Sequence, residues 1–389
     1  MYISQETIKT VVFALLAAMI IAFAMTPPVR AFACKVGAID VPKDARRVHK
    51  TPIPRLGGLA IYIGFIISVV LFADITRQIQ GILLGSVLIV VIGVIDDIVA
   101  LKAWQKFLGQ IIAALIPVFH GVVIEIVSHP NIFGSNSILN LYDWAAPVTV
   151  LWIVGITNAV NLIDGLDGLA VGVSTISSIT MLIIAILLSN SGVAIILAAL
   201  VGACIGFMPF NMNPARIFMG DTGALLLGFL LSTLSVVGFF KFYAIISFIV
   251  PFLALAMPIF DTASAIIRRL AKHQNPMAPD RGHLHHKLLD LGLNQKQAVF
   301  VIYVISGFLG MLAVILTSRG EIRIMFTLFL LVLAVVIGFL ITKKKMLKPR
   351  DDNQSPFTSE SEESKRDTFS QGESNTGDIS PDGGSHDEN

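Results

Sequence analysis

Residues 158–168 read NAVNLIDGLDG and join two strongly apolar segments, residues 144–160 and 169–188. Within this stretch, polar residues recur at every third position: Asn158, Asn161, Asp164 and Asp167. On a helix, side chains at this spacing would share one face, and Gly165 and Gly168 allow the backbone to bend and to approach a ligand. Carboxylates and amides at the mouth of a membrane span are unfavourable unless they bind something. An ordinary helix cap would account for only one aspartate, so the stretch predicts a ligand site.

The composition indicates a membrane protein. Of the 389 residues, 55% are hydrophobic and 14% are charged, and the mean hydropathy is +0.80, whereas soluble domains carry about 25% charged residues. The two cysteines, Cys34 and Cys204, provide neither a disulfide framework nor a CxxC metal signature. We therefore expect an all-α polytopic membrane protein.

Hydropathy predicts about eleven transmembrane helices of about 20 residues each. The predicted spans are residues 8–32, 57–73, 79–95, 105–124, 144–161, 169–189, 192–209, 222–239, 242–267, 297–317 and 322–342. Most Lys and Arg residues between spans lie on one side, and the positive-inside rule assigns that side to the cytoplasm. The N-terminus is then expected outside and the C-terminus in the cytoplasm. The unusual polar residues share the basic side, so we expect the active site on the cytoplasmic face.

The end of the chain differs from the rest. Residues 349–389 contain 11 acidic and 3 basic residues and very few large apolar ones. Such a segment cannot bury enough apolar surface to offset the entropy of ordering. We expect a disordered, acidic, Ser-rich cytoplasmic tail attached to a transmembrane domain of residues 1–348.

Two adjacent carboxylates, Asp96 and Asp97, end the third predicted span. They repel each other, and the partial negative charge of a helix C-terminus opposes them as well. The pair therefore requires a cation, either Lys102, a divalent metal or both. Further aspartates are expected at the same face: Asp164, Asp167 and Asp221. This convergence argues against a merely solvated pair, and an all-oxygen set suits Mg²⁺ or Mn²⁺ rather than zinc.

A second polar motif, NMNPARIFMGDTG, occupies residues 211–223. Asp221 begins the eighth predicted span, where it can cap the helix or stand beside a phosphate bound at the helix N-terminus. Phe218 can stack on a base or simply fill space.

Basic loops accompany these acids. The motif RGHLHH contains Arg281 and three histidines at spacings that do not converge on one metal. The first basic loop, which includes Lys50, has similar chemistry, so both loops predict anion binding. Acidic metal ligands ringed by basic loops are what phosphoryl transfer requires.

Four motifs together resemble one family. They are DD at 96–97, NxxNxxDGxDGL at 158–169, NxxPAxxFMGDxG at 211–223 and HLHH at 283–286. In this order they are similar to the polyprenyl-phosphate N-acetylhexosamine-1-phosphate transferases, glycosyltransferase family 4. The resemblance implies ten or eleven transmembrane helices, a cytoplasmic site, Mg²⁺, and transfer of a sugar-1-phosphate from a UDP-sugar to a lipid phosphate with release of UMP.

The last motif distinguishes two branches of that family. The branch that makes peptidoglycan lipid I from UDP-N-acetylmuramoyl-pentapeptide typically carries PxHHHF, whereas this loop reads DRGHLHHK. It resembles the branch that places N-acetylglucosamine-1-phosphate on undecaprenyl phosphate, the first membrane step of teichoic acid, O-antigen or related glycans. We expect that activity, with lipid I synthesis as the alternative.

The resemblance also implies residue roles. Asp96, Asp97 and Asp221 correspond to catalytic residues, the first two engaging the lipid phosphate or assisting its deprotonation, and Asp221 with Asp97 to the metal ligands. The expected substrate contacts are Asn158, Asn161, Asp164, Asp167, Asn211, Phe218, His283, His285, His286, Arg281, Lys50 and Lys102.

A secondary transporter is the rival from another class. Transporters bind their substrates near the bilayer midplane in broken helices, whereas these carboxylates cluster at one interface. The partners we expect are a UDP-sugar, a polyprenyl phosphate and the bacterial cell membrane, with no nucleic acid; whether the chain forms a homodimer is left open.

Overall fold

A computed structural model describes residues 4–41, 52–129, 137–239, 246–271 and 283–318, with a few single positions up to 327. The described helices are α1 (Gln5–Val36), α2 (Gly57–Phe72), α3 (Arg77–Val99), α4 (Ala103–Phe119), α5 (Ala145–Leu162), α6 (Leu169–Leu187), α7 (Ser191–Asn211), α8 (Gly220–Phe239), α9 (Ile246–Ala254), α10 (Ala256–Ala271), α11 (Leu284–Asp290) and α12 (Gln295–Thr317). Two short antiparallel pairs accompany them: β1 (Ile39–Asp40) with β2 (Ile53–Pro54), and β3 (Ile126–His129) with β4 (Ser137–Asn140).

The helical fold of a polytopic membrane protein is confirmed. Seven of the described helices, namely α1, α3, α5, α6, α7, α8 and α12, are long and apolar enough to cross a membrane, and α2 and α4 are shorter apolar helices. Each coincides with a predicted span to within a few residues. The predicted span 322–342 lies almost wholly outside the described residues, and the tail domain 349–389 lies wholly outside them. The number of spans and the domain boundary therefore stay predictions.

Within the predicted span 242–267 the described residues form two helices rather than one. α9 ends at Ala254 and α10 begins at Ala256. Proline has no amide hydrogen, so Pro258 cannot donate to the carbonyl of Ala254 as a residue in a continuous helix would. The helix is therefore interrupted at Leu255.

Helix α8 lies at the centre of the bundle, and 94% of its most apolar 18-residue stretch is buried. Its first turn meets α2 and α3 where those helices carry glycine. A Cβ on Gly58 would overlap the backbone of Gly223, and a Cβ on Gly93 would overlap that of Thr222. The absence of side chains at these two positions lets three backbones converge, which fixes the N-terminus of α8 beside the C-terminus of α3.

The organising stretch does not form one helical face. α5 ends at Leu162, and residues 163–168 form a loop that closes with Gly168 at a φ of 77° before α6 begins. Asp164 and Asp167 therefore lie on a loop, not on the helix that carries Asn158 and Asn161. The prediction of one aligned polar ridge is wrong because the chain leaves the helix before the first aspartate.

Candidate active site

A cavity of about 290 Å³ opens where α3, α5 and α7 end and α8 begins. Four of the predicted acids line it: Asp97, Asp164, Asp167 and Asp221. Four other predicted residues do so too: Asn161, Asn211, Phe218 and His286. Helix ends from distant parts of the sequence thus bring most of the expected residues to one place.

Asp97 joins α3 to the first turn of α8. Its side chain is 2% exposed. Oδ1 accepts from the amide of Asp221 (3.0 Å), and Oδ2 accepts from the amide and hydroxyl of Thr222 (3.0 and 2.6 Å). The first amides of a helix have no partners within it and carry partial positive charge, so the carboxylate satisfies them and fixes Asp221 in the cavity wall. Because each carboxylate oxygen has two acceptor positions, Oδ1 keeps one.

The lysine that pairs with Asp96 is Lys106, not Lys102. Lys106 Nζ lies 2.7 Å from Asp96 Oδ2 and 3.3 Å from Asp221 Oδ2. Lys102 is exposed and forms the N-cap of α4, where its amide donates to Gln105 Oε1. The prediction that the acids require a nearby cation is correct, but α4 places the lysine one turn further along the chain against them.

Asp164 stands in the loop among other acids. Burial, together with the neighbouring carboxylates Asp221, Asp97 and Asp167, raises the pKa of its carboxyl to about 7. Each of these causes disfavours the ionised form. A cation in the cavity would relieve this repulsion.

Asp167 holds two loops together. Its Oδ2 accepts from the side chain of Asn213 (2.9 Å) and from the amide of Ala215 (3.0 Å). Asn213 also donates to Gln295 Oε1 at the start of α12 (2.7 Å). Asp167 thus lines the cavity and ties the α5–α6 loop to the α7–α8 loop.

The predicted nucleotide contacts share one wall. The Asn211 side chain donates to the carbonyl of Ile217 (3.1 Å), and the amide of Phe218 donates to the carbonyl of Pro54 (2.8 Å). These bonds brace the loop before α8 against the β2 segment. The predicted contact Asn158 does not line the cavity; it donates to Gln110 Oε1 of α4 at 2.5 Å.

The three histidines have different surroundings. His286 lines the cavity, His283 Nδ1 donates to Asp261 Oδ2 (2.9 Å), and His285 is buried against Gly165. Burial lowers the pKa of His285 to about 4, so this ring is neutral at pH 7 and brings no positive charge for an anion. The other predicted contacts in these loops, Lys50 and Arg281, lie outside the described residues.

Magnesium fits the chemistry of the cavity. Within the described ranges, no three His, Cys, Asp or Glu side chains already converge into a group that could hold a metal ion. The lining nevertheless offers carboxylate and amide oxygens, which are the donors that Mg²⁺ prefers. The mutual repulsion of these carboxylates at Asp164 is a second reason to expect a cation.

Several residues of the site escaped sequence reasoning. Arg55 and Gln295 line the cavity, Lys106 bridges two acids, Asn213 holds Asp167, and Asp261 pairs with a histidine. An ionisable residue within a predicted span is a recognisable signal, and it would have found Asp261 and Lys106. No feature of the sequence singles out Gln295.

Comparisons with known proteins give the family of this chain. The chain matches glycosyl transferase family 4 over residues 79–239. It is 40% identical over 337 residues to the probable undecaprenyl-phosphate N-acetylglucosaminyl 1-phosphate transferase of Bacillus subtilis, which covers 86% of this chain and 92% of that protein. It is 34% identical over 367 residues to the decaprenyl-phosphate N-acetylglucosaminephosphotransferase of Mycolicibacterium smegmatis, with 87% and 89% covered. A phospho-N-acetylmuramoyl-pentapeptide-transferase of Heliobacterium modesticaldum is 40% identical over 209 residues, or 50% of this chain and 63% of that protein.

The seven long apolar helices, together with these relatives, identify a multi-pass bacterial membrane protein of a transferase family. The chain belongs to glycosyl transferase family 4, the family of polyprenyl-phosphate hexosamine-1-phosphate transferases that its motifs resemble. The family resemblance is thereby confirmed, and membership of a transferase family counts against the transporter alternative.

Proposed function

We propose that this protein transfers N-acetylglucosamine-1-phosphate from UDP-N-acetylglucosamine to undecaprenyl phosphate and releases UMP. The observation that carries the proposal is the cavity lined by Asp97, Asp164, Asp167 and Asp221 at the helix ends. It occurs in a chain that is 40% identical, over 86% of its own length and 92% of the relative's, to a probable undecaprenyl-phosphate N-acetylglucosaminyl 1-phosphate transferase. A polar pocket between membrane helices offers a water-soluble donor and a lipid acceptor access to the same place.

The proposed reaction is a phosphoryl transfer. An oxygen of the lipid phosphate attacks the β-phosphorus of the UDP-sugar, and the bond from that phosphorus to the oxygen retained by UMP breaks. A lipid phosphate with a second pKa of about 6 is mostly dianionic at neutral pH, so the attack needs no strong base. This suits Asp96 and Asp97, whose oxygens are largely engaged by Lys106 and the start of α8. In this proposal Asp96 holds Lys106 and Asp97 holds the start of α8, and these two groups contact the phosphates.

Mg²⁺ is the proposed cofactor, with Asp221 and the remaining acceptor position of Asp97 as its ligands and Mn²⁺ as a substitute. When bound, the ion would offset the negative charge of the phosphates. Asp164, whose pKa is raised by burial and by its acidic neighbours, would be stabilised in its ionised form by the ion. Phe218 and Asn211 face the nucleotide, and His286 faces the sugar or the diphosphate.

The membrane orientation is part of the proposal. Arg55, which belongs to the first basic connection, lines the cavity, so the positive-inside rule favours the cytoplasmic face for the cavity and an outer N-terminus. The proposal of eleven spans rests on hydropathy. A cysteine introduced at His286 should react with a membrane-impermeant thiol reagent only from the cytoplasmic side of oriented vesicles. Labelling from the outer side would contradict this topology.

The test of the activity is a comparison of two donors in detergent. Radiolabelled UDP-N-acetylglucosamine and UDP-N-acetylmuramoyl-pentapeptide are each supplied with undecaprenyl phosphate and Mg²⁺. We expect a lipid-linked product and UMP from the first donor only. Excess EDTA should stop the reaction, added Mg²⁺ should restore it, and Asp221→Asn should abolish it. Equal turnover of the pentapeptide donor would overturn the assigned donor, and full activity in EDTA would overturn the metal assignment.

A further inference from the structure

Asp261 is a buried acid that the proposed reaction does not use. It lies in α10 and is 5% exposed, within a segment apolar enough to be predicted as a span. A carboxylate in such a segment is unfavourable unless both oxygens find partners. Here Oδ2 accepts from His283 Nδ1 (2.9 Å), and Oδ1 accepts from the amide of Leu284 (2.8 Å).

Both partners belong to the first residues of α11. This helix has seven residues, and its N-cap, His283, makes no capping bond with its own side chain. Helices of this length have little stability of their own in water. Asp261 therefore supplies, from another helix, the acceptor that would otherwise be missing at the start of α11.

Helix α11, anchored by Asp261, is linked to the cavity through its histidines. The ring of His283 is stacked on that of His285, with centroids 5.9 Å apart and planes 11° from parallel. His285 in turn lies so close to Gly165 that a Cβ there would be 2.5 Å from its Nε2. The next residue, His286, lines the cavity.

We infer that Asp261 is a positioning residue of the active site. Through His283 it fixes α11, and α11 then sets the place of His286 and supports the loop that bears Asp164 and Asp167. Asp261 itself does not line the cavity, so it acts only through these residues. The kinetic consequence of this inference rests on the proposed function, whereas the structural consequence does not.

The chain offers variants that separate anchoring from other effects. Asp261→Asn keeps the shape but has one oxygen, so it accepts only one of the two bonds. The asparagine of His283→Asn places its N–H near the position of Nδ1 and keeps the bond to Asp261, whereas the glutamine of His283→Gln reaches toward Nε2 and loses it. Ser264→Ala is the matched control, because it removes a hydrogen bond to the backbone carbonyl of Asp261 and leaves the carboxylate alone.

Two measurements are made on the full-length protein in detergent. Steady-state kinetics should give Asp261→Asn and His283→Gln a kcat/KM for the UDP-sugar about 10- to 150-fold below wild type, the loss expected for one charge-assisted hydrogen bond. The kcat/KM of the double variant Asp261→Asn/His283→Gln should be no lower than that of the more damaged single variant, since both changes remove the same interaction. Ser264→Ala should stay within a few-fold of wild type, and His283→Asn should lose less activity than His283→Gln. Hydrogen exchange of residues 284–290 should accelerate at least tenfold in the two damaging variants and not in the two mild ones.

Two results would overturn the inference. One is a hydrogen-exchange rate of α11 in Asp261→Asn equal to that of wild type. The other is a double variant whose fold-loss in kcat/KM is the product of the two single losses. If Asp261→Asn does not fold, the comparison of His283→Asn with His283→Gln decides in the same way. If the wild-type protein does not use UDP-N-acetylglucosamine, the proposed function fails, and the exchange measurement still tests the anchor.

Discussion

Lowering the pH from 7.5 to 5.0 should weaken the attachment of α11 through one buried histidine. His285 is 4% exposed, and its pKa is lowered from 6.5 to about 4, first by burial and then by the neighbouring His286. In the unfolded chain the same ring has its ordinary pKa. Acid therefore protonates the unfolded state first, and the stability contributed by the neutral ring is present above pH 6.5 and is lost as the pH falls toward 4.

The size of the effect follows from the two pKa values. At pH 5.0 the unfolded ring is almost fully protonated and the folded ring is mostly neutral, so the free energy of unfolding should fall by about 2 kcal/mol relative to pH 7.5. Asp164 acts in the opposite direction, because its raised pKa favours proton binding by the folded state as the pH drops. A variant without the ring isolates the histidine from this opposing effect.

The assay is thermal unfolding of the protein and of His285→Gln in the same detergent at both pH values. The quantity of interest is the difference between the two proteins in their loss of stability on acidification. We expect wild type to lose more by an amount equivalent to about 2 kcal/mol, and α11 to gain hydrogen exchange at pH 5.0 after correction for the intrinsic rate. Equal losses in the two proteins would refute the reasoning and show that His285 is not held neutral by its surroundings.

Three other perturbations test separate parts of the structure. Lys106→Gln leaves the buried Asp96 without its cation and should lower the free energy of unfolding by about 3 kcal/mol; a melting temperature equal to that of wild type would contradict the bridge. Gly93→Ala forces a methyl group against the backbone at the start of α8 and should cost about 1–3 kcal/mol, whereas Gly155→Ala, which meets nothing within 4 Å, should be neutral or stabilising by up to about 1 kcal/mol. Truncation after Lys348 should leave turnover within a few-fold of the full chain, because the acidic tail has too little apolar surface to form part of a packed site; complete loss of activity in a folded truncation would show that the tail takes part.

Much of the fold was predictable because membrane helices are defined by local composition. A run of about 20 apolar residues must form a helix in the bilayer, where every backbone group needs a partner. What composition could not give was the path of the chain between helices. Ala100 adopts a positive φ of 56° as α3 ends, and the turn brings Lys106 rather than Lys102 to Asp96. Such a choice depends on backbone angles in a few residues and not on hydropathy.

The same distinction between local composition and long-range contacts applies to the site. Its acids could be found from the sequence because each is an unusual residue for the end of a membrane span. Their individual roles depend on partners far away in the chain. Asp97 accepts hydrogen bonds from the first amides of α8, and Asp167 accepts one from the loop before α8. The histidine motif was predicted as a single anion-binding unit. Its three rings lie against one another but meet different partners, because successive positions around the start of a short helix face different neighbours.

These contacts divide the site into a part borne by the long helices and a part borne by the α5–α6 loop and the short helix α11. Asp97 and Asp221 are fixed by the close approach of α3 and α8, which the glycines permit. Asp164 and His286 belong to segments whose positions depend on side-chain contacts, among them the bond of Asp261 to α11. Changes in the HLHH motif at 283–286 should therefore alter the use of the donor while leaving the dependence on Mg²⁺ intact, since the proposed ligands lie on α3 and α8. This motif is also where the sequence departs from the lipid I pattern, so the more adjustable half of the cavity is the half expected to select the sugar.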